Sequence, residues 1–82
     1  MDQNIVIILR FRFVDLFVRV SNAVAITMYE NLGYTVYRKV LQYYSGDKDE
    51  DAYDMRKALS RDTNKTSVIP LEKDVHIDEL EY

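Results

Sequence analysis

Cysteine is absent from this chain of 82 residues, which excludes disulfides and thiolate metal sites. That fits a reducing compartment, and a cytoplasmic location is expected. Histidine occurs once, as His76, in a polar stretch where a solvated side chain is expected rather than a base or ligand. No serine–histidine nucleophile arrangement can be built around it. A metal site would need carboxylates alone, and Asp47, Asp49, Glu50 and Asp51 read more simply as a solvated loop, so no metal is expected. A basic surplus is also missing. The net charge is −3 and the pI about 5.0, so direct nucleic-acid binding is not expected.

Long apolar runs are lacking as well. The IVIIL run of residues 5–9 is far shorter than the roughly 20 residues that span a bilayer. Arg10, Arg12, Asp15 and Arg19 interrupt any longer version, and no basic segment precedes it. It reads poorly as a secretion signal, no membrane association is expected, and it is left as a strand or helix awaiting a partner. Asn64-Lys65-Thr66 matches a glycosylation acceptor, but such triplets arise often by chance, and it is expected to be unused.

What is present is globular in composition: 48% hydrophobic and 30% charged, enough for one small domain. A chain of this size hides only about 60% of its unfolded surface, so stability is marginal. Seven tyrosines and no tryptophan is an unusual aromatic balance.

The clearest local signal is SNAVAITMYENLGY, residues 21–34. Ser21 and Asn22 can cap a helix start by accepting a backbone N–H bond. Val24, Met28 and Leu32 recur every four residues with Ala25 and Tyr29 beside them, as on one helix face. Gly33 can take the left-handed conformation that ends a helix. A helix from about Ala23 to Leu32 is expected.

Before it, Val14, Leu16, Val18 and Val20 alternate with Asp15, Phe17 and Arg19, a strand with one fully apolar face. After it, YTVYRKVLQYY of residues 34–44 is rich in aromatic and β-branched residues and reads as a long strand. SGDKDE forms a loop, and DAYDMRKAL, residues 51–59, reads as an antiparallel return strand. Residues 60–82 carry mixed charge, Pro70 and no period, and are expected to be extended or disordered. The fold class is α/β: strand, helix, strand, strand, then a C-terminal tail. The two strands flanking the helix should lie parallel, joined right-handedly. One sheet face and one edge would remain poorly covered.

Tyr29 lies about two turns after Asn22. A phenol is protonated at neutral pH and can give its proton to a departing thiolate. Spacing alone favours an aromatic that packs the helix on the sheet. Asn22 can bond a ligand amide or simply cap the helix, and the cap is the more economical reading. Tyr43 and Tyr44 are adjacent on a strand, so their rings should point to opposite faces. One could line a peptide groove while the other is buried.

The order strand, N-x-x-A-x-x-x-Y-x-x-L-G-Y, strand resembles the C-terminal half of the GNAT acetyltransferases. FVDLFVRVSN, MYENLGY, the tyrosine pair and DEDAYDMRKALSRD resemble more closely the catalytic subunits of N-terminal acetyltransferase B complexes, over residues 13–71. The resemblance implies a partial GNAT fold in residues 1–59 with a C-terminal tail in 60–82. It implies transfer of acetyl from acetyl-coenzyme A to the α-amine of proteins beginning Met-Asp, Met-Glu, Met-Asn or Met-Gln. By the same resemblance Asn22 bonds the pantetheine arm and Tyr29 is the general acid near the thioester sulfur. Tyr43 and Tyr44 contact the substrate N-terminus. A helical-repeat auxiliary subunit, nascent chains and the ribosome are the implied partners.

The sequence departs from that family in one respect. GNAT enzymes carry an R/Q-x-x-G-x-G/A loop whose backbone N–H groups hold the coenzyme pyrophosphate. Here the only glycines stand thirteen positions apart, and residues 1–12 do not resemble the family's preceding segment. A shortened form is expected, either from an alternative N-terminus or from a gene model missing its first half. Losing two charge-assisted bonds of roughly 1.5–3 kcal/mol each would weaken coenzyme binding on the order of 100-fold or more. Weak acetyl-coenzyme A binding and impaired activity are therefore expected. The alternatives are a non-catalytic module that binds the auxiliary subunit, and a chain that does not fold stably.

Overall fold

The computed structural model describes residues 5–46 and 49–80. Asp47, from the acidic loop, lies outside them. The elements in chain order are β1 (Val6–Leu9), β2 (Phe13–Arg19), α1 (Ala23–Asn31), β3 (Thr35–Tyr44), β4 (Glu50–Ala58), a 3₁₀ turn (Thr66–Val68), β5 (Val75–His76) and a second 3₁₀ turn (Ile77–Glu79). The strands form one five-stranded sheet in the order β1-β2-β4-β3-β5. Among the described residues no helix is long and apolar enough to cross a membrane.

The IVIIL run finds its partner in the chain itself, as β1 pairs antiparallel with β2. β4 pairs antiparallel with both β2 and β3, so those two strands run in the same direction. They are not neighbours, however. The return strand inserts between them, so the two lie parallel as expected but with β4 in the gap. Burial explains the choice, because β4 carries Ala52 and Asp54 to one face and Tyr53 and Met55 to the other, and a central position covers both.

β2 is buried from Asp15 to Val18, on both faces rather than one. Leu16 and Val18 join Ala25 and Met55 under the helix, with Ile26, Tyr29, Tyr34 and Val36 packed against them. Phe17 joins Val40, Tyr44 and Ala52 on the opposite face, where Ile8, Tyr43, Ile77 and Leu80 complete the cluster.

The helix is bounded as its sequence requires. Asn22 Oδ1 accepts from the Ala25 N–H at 3.2 Å, and Gly33 follows at φ +95°. Only part of the expected face is buried. Val24, Met28 and Leu32 are 83%, 47% and 54% exposed, whereas Ala25, Ile26 and Tyr29 face the sheet. Apolar residues surround this short helix on most sides, so spacing alone could not say which stripe the sheet would take.

Residues 60–80 are not the extended or disordered tail that their composition suggested. β5 pairs parallel with β3, Leu71 N–H donates to the Tyr37 carbonyl at 2.7 Å, and Ile77 and Leu80 cover the Phe17 cluster. Asp62 anchors the turn by accepting from the backbone N–H and hydroxyl groups of Thr66 and Ser67. These bonds, the Ser67 hydroxyl first, hold its carboxyl below the usual range. His76 is likewise engaged: Nδ1 accepts from the Asp78 N–H at 3.1 Å, and Nε2 lies 3.0 Å from Gln42 Oε1.

Candidate functional site

β2 runs directly into the helix, so its C-terminal end brings strand and helix side chains together. Asn22 caps the helix there. Tyr29 lies seven residues on, about 10 Å along the axis on the same side. Its ring is half-buried among Leu16, Val18 and Met55 and meets Tyr34 edge-on at 5.5 Å.

Tyr43 and Tyr44 lie across the sheet from Tyr29. The expectation that their rings point to opposite faces is corrected. Both pack on the Phe17 cluster, with Tyr43 stacked on Phe17 at 4.8 Å and Tyr44 edge-on to Tyr43 at 5.0 Å. A register irregularity between Val40 and Tyr44, with Gln42 at φ +56°, removes the alternation.

The tyrosine pair is connected to the turn before the helix, but not to Tyr29, through Arg19 and Glu50, which the sequence reading did not single out. The Arg19 guanidinium lies 3.8 Å above the Tyr44 ring and 3.6 Å from the Glu50 carboxylate. Glu50 also accepts from the Ser21 N–H at 3.2 Å and the Ser21 hydroxyl at 3.0 Å. Those bonds, the hydroxyl's first, hold its carboxyl below the ordinary value. A chain of contacts thus links the tyrosine pair to the residue preceding Asn22. The available signal was a charged residue, Arg19, ending a strand whose other face is apolar.

Behind the pair, on the same face, lies a buried charge cluster. Arg38 Nε donates to Asp54 Oδ2 at 2.9 Å, and Arg56 Nε stands 3.9 Å from Asp15 Oδ1. The Arg56 guanidinium sits between the Phe13 and Tyr37 rings at 4.0 and 3.5 Å and donates to the Ser67 carbonyl at 3.1 Å. Burial, then a hydrogen bond shared with Asp54, then the charge of Asp54 push the Asp15 carboxyl up to about 8, against the opposing pull of Arg56 and Arg38.

The sign of the resulting pH dependence follows from linkage. The unfolded chain loses this proton near 3.8, while the folded chain keeps it to about 8. The contribution to stability is therefore complete below the unfolded value and is lost as pH rises toward about 8. Chemical denaturation should give a lower unfolding free energy at pH 8 than at pH 5. Asp15→Asn, which is always neutral and can still donate to Asp54, should flatten that slope. Equal slopes in the two proteins would show that Asp15 is ionised throughout.

No family model matches the chain. The N-terminal acetyltransferase B complex catalytic subunit NAA20 of Arabidopsis thaliana is 67% identical to it over 70 residues, 85% of this chain and 39% of the relative. Over the matched residues the chain is thus similar to NatB catalytic subunits. It spans about two fifths of that relative's length. Among solved structures, Naa20 of Chaetomium thermophilum in complex with a bisubstrate analogue superposes with a TM-score of 0.75 at 38% identity, covering 85% of this chain and 41% of that one. The NatB acetyltransferase complex bound to a bisubstrate inhibitor gives 0.67 at 37% identity, covering 87% and 41%. The mixed sheet with one helix is thus a partial GNAT fold, as the motif order implied.

Proposed function

We propose that the chain acts in N-terminal protein acetylation of the B type, using acetyl-coenzyme A on termini that begin Met-Asp, Met-Glu, Met-Asn or Met-Gln. Supporting this most directly is the helix NAVAITMYENLGY, with cap and glycine stop formed, in a chain so similar to a NatB catalytic subunit. Acetyl-coenzyme A, when bound, supplies the thioester that the α-amine attacks. The new carbon–nitrogen bond would replace the carbon–sulfur bond, with the amine nitrogen losing a proton to water and the sulfur gaining one.

Asn22 spends its carbonyl on the Ala25 N–H, so a bond to a pantetheine carbonyl would use its Nδ2 donors. Tyr29 would supply the proton that the departing sulfur needs. Tyr43 and Tyr44 would flank the peptide terminus with their rings. A helical-repeat auxiliary subunit is the proposed partner, at the ribosome, in the cytoplasm.

The test is acetyl transfer to a Met-Asp peptide by the full chain, alone and with the auxiliary subunit. One acetyl group should appear at the α-amine. Tyr29→Phe should lower kcat about 100-fold, with the peptide KM changed less than about twofold, as expected for a proton donated only in the transition state. No transfer with the auxiliary subunit present excludes catalysis by this chain. Co-purification with that subunit without turnover would identify an interaction module instead.

A further inference from the structure

In a regular strand neighbouring side chains alternate between faces, and nothing in Gln42-Tyr43-Tyr44 signals an exception. Gln42 nevertheless holds φ +56°, a conformation that residues with a Cβ adopt at a cost. Val40 pairs with Ala52 and Tyr44 with Glu50, so β3 spends four residues where β4 spends two. Asp51 stands opposite this extra length. Its Oδ1 accepts from the Gln42 N–H at 2.9 Å, replacing the ladder bond that the bulge removes. The Gln42 side chain is braced separately, with Oε1 3.0 Å from His76 Nε2.

We propose that Asp51 is a positioning residue: its carboxylate holds the Gln42 bulge and so sets Tyr43 beside Tyr44 on one sheet face, a role in peptide recognition that rests on the peptide-facing reading of the pair. Without that acceptor, Gln42 has no side-chain partner for its N–H on β4 and relaxes toward extended backbone. Tyr43 then turns away from Phe17.

Three variants of the full chain test this: Asp51→Ala, Asp51→Asn, and Asp51→Ala combined with Gln42→Gly. Asparagine keeps the carbonyl acceptor. Glycine takes a positive φ without needing one. Ring-to-ring nuclear Overhauser contacts between Phe17 and Tyr43 should vanish in the alanine variant and persist in the other two. In an active protein, the alanine variant should raise the peptide KM about tenfold, with kcat and the coenzyme KM nearly unchanged. Asparagine, and the glycine combination, should restore it.

Contacts that persist in Asp51→Ala overturn the proposal. Contacts that vanish while the peptide KM stays at the wild-type value overturn the role in recognition. If the wild-type chain transfers no acetyl group, the functional reading fails, and the ring contacts still decide whether Asp51 sets the pair.

Discussion

Asp54→Ala should lower the free energy of unfolding by about 3–5 kcal/mol, the usual cost of removing one partner from a buried ion pair. Asp54 is fully buried, and Arg38 donates to it at 2.9 Å. The Tyr37 ring lies 5.5 Å from the Arg38 guanidinium, a cation–π contact of only about 0.5–2 kcal/mol that cannot replace a carboxylate. Alanine would thus leave a mostly buried guanidinium without the carboxylate it donates to. A chain of 82 residues commands only about 4–12 kcal/mol in all on a per-residue scale. The variant should lose a large share of that, with a urea midpoint lower by about 1 M or more.

A contrasting pair separates the charge from the packing. Arg38→Met combined with Asp54→Leu removes both partners, and should cost far less than Asp54→Ala alone, because no uncompensated charge is buried. If the single and double variants are equally destabilised, packing rather than the ion pair accounts for the loss.

Phe17→Ala is the second large effect, at about 3–5 kcal/mol. Phe17 is 1% exposed, and its ring serves as the platform for Tyr43 within the cluster that Ile77 and Leu80 cover. Truncation would open a cavity on the face where β2, β3, β4 and the C-terminal segment meet. Phe11→Ala, at a site 70% exposed, should stay within about 0.5 kcal/mol. Urea denaturation of the two variants side by side checks both. A Phe17→Ala midpoint close to wild type would mean that residues 77–80 do not seal this face.

The same cluster shows where reading the sequence was informative and where it was not. Asp15 and Arg19 were legible only as alternate positions of a strand with one apolar face, not as members of separate charge networks. Their partners come from β3 and β4, 23 to 41 positions away for Asp15, Arg38 and Arg56, and a linear pattern carries no trace of such pairings. Residues 60–80 were misread for a related reason. Ile77 and Leu80 are too few to announce an element, yet suffice to close a face that already exists. Tyr43 and Tyr44 were found as a pair, while their shared orientation depends on a glutamine in a conformation usually given to glycine.

The sequence by itself determined the helix ends, through the Asn22 cap and Gly33, together with the strands around them and the family motif, because caps, turns and periodicity act within a few residues. Tertiary structure alone decided which helix stripe is buried, that β4 lies between β2 and β3, and that both tyrosines share a face. Those outcomes depend on competition among distant surfaces for burial, and on a bulge held by Asp51 from the neighbouring strand.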